Sequence, residues 1–311
     1  MLAYALRRLL MLPLVLIATY TAAVLLIMAT PGDPFDGDDK NVPAEVIEAK
    51  RRAFNYDQPW WQRYFYTWPK RLIWDGDLPA HRYEDWTVVQ ILRSALPISL
   101  QLGLLALTFA VAIGLTVGVI SAAGRGRWLD HVSVALCLVG VSLPTFVIGA
   151  ALLIIVGMWL RAVPIGGWGL PSQAILPAFT LALPYAAYIA RLSRSAILDA
   201  LSEDYIRTAR AKGVSETRVL LDHALRNALL PVLSYIGPAA AAIFTGSFVV
   251  EKIFLIPGMG THVVESINNR DQSLILATVL VYSSLLVTLN IAVDLLYGIV
   301  DPRIRVGASS T

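Results

Sequence analysis

Ionised side chains are scarce in this sequence. Only 15% of its 311 residues are Asp, Glu, Lys or Arg, while 57% are hydrophobic. Soluble domains carry about 25% charged residues, so a water-covered surface of this size is excluded and a polytopic membrane protein is expected. There is one cysteine, Cys137, in an apolar run; an intrachain disulfide and a cysteine-based metal site are excluded, and Cys137 reads as a small buried residue between helices. No Gly-x-x-x-x-Gly-Lys-Ser/Thr stretch occurs, so the chain lacks a Walker-type phosphate loop. No paired carboxylates, histidine pair or Ser–His arrangement falls within the apolar runs, which leaves an intramembrane hydrolase without its groups. Internal repeats and low-complexity tracts are absent too.

What is present is a series of long charge-free runs, at 9–29, 95–123, 132–160, 162–190, 228–250 and 272–300, the last interrupted by Asp294. Gly166, Gly167, Gly169, Pro164 and Pro171 make the start of the fourth run turn-like, so its helix is expected to begin near Ala174. The first run is about 21 residues, longer than the apolar core of a cleaved signal peptide and able to span about 30 Å of hydrocarbon. It is read as an uncleaved span. The expectation is an all-α integral membrane protein with six transmembrane helices; open sheet edges are excluded in lipid.

Basic residues set the orientation. With the N-terminus inside, Arg7, Arg8, Arg125, Arg127, Arg191, Arg303, Arg305 and the basic residues of 193–227 all face the cytoplasm, while the short outer loops hold Arg161, Lys252 and Arg270. Both termini are then cytoplasmic. The expected divisions are 1–30 (N-terminus and first helix), 31–95 (a large extracytoplasmic segment), 96–305 (a five-helix core containing the loop 193–230) and a disordered tail at 306–311. Within 31–95, "QPWWQRYFYTWPKRLIW" is aromatic and basic, as suits a stretch at headgroup level. Its outward position argues against nucleic acid as its partner.

The exception to the apolar pattern is 193–227, which carries eleven charged residues, from Arg194 and Asp199 to Asp222 and Arg226. At about 2.5–3.5 kcal/mol for each charge at a bilayer centre, the total would reach tens of kcal/mol, so this segment lies in water. Its core, "DYIRTARAKGVSETR", reads as two short helices broken at a glycine. Ser202 is positioned to cap the first, with Glu203 and Asp204 in its first turn. Arg207, Arg210 and Lys212 fall toward its C-terminal end, and Gly213 follows the last turn. Ser215 is positioned to cap the second, with Glu216 in its first turn. Pro231 restricts Leu230 and marks a kink or a new helix start. Connecting loops have a median of about 4–6 residues, so a capped insert of this length suggests a docking element. The tether on both sides excludes a DNA-binding helix–turn–helix.

At these residues the chain resembles a known family. "EDYIRTARAKG…HALRNALLPV" is similar to the cytoplasmic loop of the permease subunits of bacterial dipeptide and oligopeptide importers of the ATP-binding-cassette class. The series continues through nearly the whole chain: "LRRLL", "PGDP", "GDL" at 76–78, "RGRWLDH", "SLPTF", "RLSRSAILDAL", "EKIFLIPGMG" and "VDLLYGIVDPRIR". The resemblance implies the type I importer permease fold in the bacterial inner membrane and a second homologous permease as partner. It also implies two cytoplasmic ATPase subunits that bind the ATP and Mg, and an extracytoplasmic binding protein that selects the cargo. This chain then holds no cofactor and is not an enzyme. Peptides are the expected cargo; nickel complexes or oligosaccharides remain open, since relatives carry them. The coupling loop would comprise Asp204, Tyr205, Arg207, Thr208, Ala209, Arg210, Ala211, Lys212, Gly213 and Arg218, supported by His223, Arg226, Asn227 and Pro231. The sequence departs from the broad importer signature Glu-Ala-Ala-x-x-x-Gly, having Arg207, Thr208 and Ala209 instead, and "PAHRYEDW" follows "GDL" in place of Gly and Ser.

The remaining candidates are single residues. Ser142, Pro144, Pro184 and Asn290 are the candidates for lining the pathway, while Pro177 and Pro238 lie in spans as well. Asp294, near Tyr297 and Arg303, reads as a structural partner or interfacial anchor. Gly114 and Gly118 form a small-xxx-small pair for close helix packing. His223 and Asn227, four apart on one helix face, are read as stabilising the insert, not as metal ligands; His81, His131 and His262 are scattered. A secondary transporter is the rival reading, which leaves the charged insert unexplained.

Overall fold

The computed structural model describes residues 2–31, 35, 43–81, 83 and 85–300; of these, side chains are described except at 2–9, 44 and 293–300. The expectations for Asp294 and for the tail 306–311 lie outside these residues. Among the described residues there are helices and no strands, with one isolated bridge between Pro79 and Thr87. Among the described residues five helices are long and apolar enough to cross a membrane, or six if one bent pair is counted as a single span.

The helices used below are α1 (Leu2–Ala29), α2 (Ala44–Ala53), α3 (Val88–Ala123), α4 (Trp128–Ser142), α5 (Thr145–Leu152), α6 (Pro171–Leu201), α7 (Asp204–Ala211), α8 (Leu225–Thr245), α9 (Phe248–Ile253), α10 (Met259–Asn268) and α11 (Gln272–Val300). Two units emerge, Met1–Ser99 with Pro257–Ile291, and Leu100–Ile256 with Ala292–Thr311.

In the first unit, the residues after α2 form a helical stretch over 60–75 with π turns at Arg63–Thr67 and Arg71–Asp75. One side of this stretch enters a core: Tyr64 and Trp68 pack with Val24 of α1, Val88 and Ile91 of α3, Met259 and Leu274. The hydroxyls of Tyr56 and Tyr64 both donate to Gln272 Oε1, at 2.7 and 2.6 Å, and Trp68 Nε1 donates to the Phe54 carbonyl. The other side leaves Trp61, Tyr66 and Trp74 exposed. Helix α3 starts at Val88, seven residues before the second charge-free run suggests, because Val88, Ile91, Leu92 and Ala95 place an apolar face on this core. The atypical stretch after "GDL" packs here as well: the His81 amide donates to Asp271 Oδ2 and Ser273 Oγ donates to the Pro79 carbonyl.

In the second unit, α6 is central and packs against α4, α5 and α8. Three boundaries differ from the sequence expectation. The run 132–160 is not one helix: α4 ends at Ser142, α5 starts at Thr145, and the two diverge by 110°. Pro144 is the cause. It lacks an N–H and pushes Leu143 to extended backbone, at φ −87° and ψ 135°. The fourth run becomes helical at Pro171 and not at Ala174. Proline suits the first helical position, and Gln173 Oε1 accepts from the Leu170 amide at 2.9 Å. Pro231 does not start a helix: it lies inside α8, which continues to Thr245.

Helices α3 and α6 meet at small residues, as the Gly114/Gly118 spacing predicts. A Cβ at Gly118 would overlap Ser193 Oγ and stand 2.8 Å from the Ala190 carbonyl oxygen. At Gly114 it would stand 2.7 Å from Ile189 Cβ.

Candidate functional site

The insert is built around three apolar residues. Ile206 and Ala209 lie on one face of α7 and pack on Val219, with Leu201 and Val214 against them. The rest of the helix surface is exposed, including Asp204, Arg207, Thr208, Ala211, Lys212, Gly213 and Arg218. Local chemistry ends α7 sharply. Gly213 adopts φ +77°, and its amide donates to the Arg210 carbonyl at 2.9 Å. The Val214 amide donates to the Ala209 carbonyl at 3.2 Å, and the Val214 side chain folds back on the same cluster. This is a Schellman termination, which a glycine at the left-handed position permits. Arg210 then reaches across the turn and donates two bonds to Glu216, at 2.8 and 3.0 Å. Asp204 pairs with Arg207 at 3.2 Å one turn along.

One expectation at the caps is corrected. Ser202 does not cap α7: α6 runs on to Leu201, and the Ser202 hydroxyl donates back to the Asp199 carbonyl at 2.6 Å. Glu203 takes the capping position without a side-chain bond. Ser215 stands at the next cap, likewise without a side-chain bond. The second helix is not short. From Glu216 it passes through a π turn at Val219–Ala224 directly into α8, forming one helix of 30 residues. That π turn shifts the register between His223, which is half-buried, and Asn227, which is exposed. Asn227 Nδ2 donates to the Tyr205 hydroxyl at 2.7 Å and so links α8 to α7. Arg226 and Pro231 are exposed on the same helix.

Beneath the insert, Ile197 and Ala200 of α6 pack with Ala122 of α3 and with Ala224 and Ala228 of the following helix. At the loop-side ends of these helices is a charged group that single-residue reading of the sequence misses. Asp130, in the first turn of α4, is almost wholly buried and accepts two bonds from Arg194 of α6, at 2.7 and 2.8 Å. Its remaining acceptor positions take Ser121 Oγ at 2.6 Å and the Gly126 amide at 2.9 Å. The available signal was a carboxylate at the edge of one apolar run and an arginine at the edge of another, on the same predicted side.

A cavity of about 250 Å³ adjoins this pair, with Ser133, Cys137, Ser142 and Arg191 in its wall. Cys137 is therefore half-buried at a cavity edge and not packed away. Of the pathway candidates, Ser142 lines this cavity, Pro144 makes the bend, Pro184 lies within unbroken α6, and Asn290 lies on α11 in the first unit. Among the described residues no cluster of His, Cys, Asp and Glu could hold a metal ion.

A family model described as "Binding-protein-dependent transport system inner membrane component" matches residues 114–306. The oligopeptide transport system permease protein OppB of Haemophilus influenzae is 37% identical over 308 residues, covering 98% of this chain and 100% of that protein. The dipeptide transport system permease protein DppB of Lactococcus lactis subsp. cremoris is 38% identical over 305 residues, again 98% and 100%. Among solved structures, the methionine ABC transporter MetNI in an inward-facing conformation matches with a TM-score of 0.54 at 19% identity, covering 68% of this chain and 97% of that one. An amino acid ABC transporter with histidines matches at 0.52 and 20% identity, covering 67% and 93%. These two support the fold alone, an all-helical membrane architecture shared with both. With the apolar helices, the family match over 114–306 and the near-full-length relatives together, this multi-pass membrane chain belongs to the binding-protein-dependent transport system inner membrane components.

Proposed function

We propose that the chain is the permease subunit of an ATP-driven peptide importer, forming half of the translocation pathway beside a second, related permease. Two ATPase subunits on the cytoplasmic side bind and hydrolyse the ATP, and an extracytoplasmic binding protein delivers the peptide. The single observation that carries this reading is the insert itself. Helix α7 is fixed from beneath by Ile206, Ala209 and Val219, while Arg207 and Ala211 on it and Lys212 and Arg218 after it are exposed among the described residues. A rigid, exposed, basic helix that ends in a sharp turn suits a groove with acidic groups on another protein. Both termini and this insert are cytoplasmic in this reading, following the bias of Lys and Arg.

The test uses the single cysteine. With Cys137→Ser as background, Lys212→Cys is introduced and the assembled importer is treated with a short thiol crosslinker. Capture of a nucleotide-hydrolysing subunit from the cytoplasmic side is the expected result. Labelling of Lys212→Cys by an impermeant reagent from outside only would overturn the reading.

A further inference from the structure

We infer that Asp130 and Arg194 form a positioning clasp that makes the loop-side ends of α3, α4 and α6 move as one body with the insert, so that displacement of α7 is delivered to α4. The inference rests on the reading of α7 as the ATPase dock.

The contacts around the insert differ in directionality. The insert is joined to the helices beneath it by the apolar contacts of Ile197, Ala200, Ala122, Ala224 and Ala228. Such contacts have no preferred angle and permit sliding. The clasp is different. Both oxygens of Asp130 receive two donors each, from α6 (Arg194), from α3 (Ser121) and from the turn between α3 and α4 (Gly126). A forked guanidinium on a carboxylate fixes relative orientation as well as distance. Rotation of α6 against α4 would break both bonds of the fork and leave a buried carboxylate underserved.

The position of the clasp along the chain gives it a task. From Arg194, α6 continues unbroken to Leu201, and α7 begins at Asp204. From Asp130, α4 leads to Ser142 and the bend at Leu143–Pro144, where α4 and α5 diverge by 110°. The pair therefore joins the element that meets the motor to the element that carries the bend. Burial alone could be served by two apolar residues of similar size; a charge pair with all acceptor positions filled specifies one geometry.

The test uses the assembled importer in lipid vesicles with its binding protein, counting peptides moved per ATP hydrolysed. For Asp130→Asn and for Arg194→Gln this ratio is expected to fall about tenfold, within the usual range of coupling effects, and the double variant should lose no more than either single one. Arg194→Lys should remain low, because it keeps the charge and loses the fork. Gly114→Ala, which strains α3 against α6 at Ile189, farther from the clasp residues, provides the comparison for lowered stability: its ratio should stay near that of the unmodified importer at a similar loss of Tm. Gly213→Trp reports on the dock. If Gly213→Trp uncouples transport while Asp130→Asn keeps the normal ratio, the clasp is overturned and the dock stands. If Gly213→Trp keeps the normal ratio, the dock is overturned and the clasp with it. A fall for Asp130→Asn no larger than that for Gly114→Ala also overturns the clasp.

Discussion

Tyr205 and Asn227 are 22 positions apart and meet at 2.7 Å, the amide of Asn227 donating to the phenolic oxygen. This bond ties the exposed end of α7 to the long helix that follows. Tyr205→Phe removes it and should release α7 by about 0.5–1.5 kcal/mol, the usual net value of one hydrogen bond. Amide exchange measured over 204–211 should accelerate by up to about tenfold while exchange in α6 is unchanged.

Gly213 holds φ +77° with open space around it, so the strain of a replacement comes from backbone and not from crowding. A side chain there costs roughly 1–2 kcal/mol, less for asparagine. Gly213→Val should leave the amount of chain in the membrane unchanged and lower peptide uptake sharply, whereas Gly213→Asn should retain most of it. Quantitative immunoblots beside labelled-peptide uptake distinguish the two.

Gly118 faces Ser193 where α3 and α6 touch. Gly118→Leu should lower the Tm of the purified protein, by an overpacking penalty of about 1–3 kcal/mol or more. Gly118→Ala should be milder, and Ser193→Gly in the same chain should restore part of the loss because it removes the overlapping oxygen.

In the first unit, His262 lies 3.2 Å from the Tyr83 hydroxyl, which donates to Glu265 at 2.9 Å. Burial pushes the imidazole below its ordinary pKa, with Glu265 pulling the other way. A histidine that is harder to protonate folded than unfolded contributes stability above the ordinary value of about 6.5. That contribution is lost as pH falls through the lowered value. Tm recorded from about pH 8 to pH 5 should therefore decline on the acid side, and His262→Gln should flatten that part of the curve.

How much of this was legible in the sequence depends on the range of the force involved. The insert could be read because its signals are local: Gly213 after a charged helix and Asp204 in a first turn act on backbone groups a few residues away. The spans could be read from charge-free runs, since lipid excludes ions wherever they lie in the chain. Pro144 was visible as a proline, but its effect was not. The same residue type at Pro177, Pro184, Pro231 and Pro238 sits inside continuous helix, and only packing decides which one bends the chain. Asp130 with Arg194 was hidden for a related reason: 64 positions separate them, and each alone looks like a surface charge at the end of a span. Ser202 misled because a hydroxyl near a helix end can cap the next helix or close the last one.

The 30-residue helix from Glu216 to Thr245 has a mechanical consequence. At 1.5 Å per residue it is a rod of roughly 45 Å. Its compliance is not spread evenly along that length. Pro231 and Pro238 supply no N–H, which deprives the carbonyls of Asn227 and Ser234 of their usual donors. Any flexure produced by a push at the Glu216 end would concentrate at those two joints, with stiff segments swinging on either side.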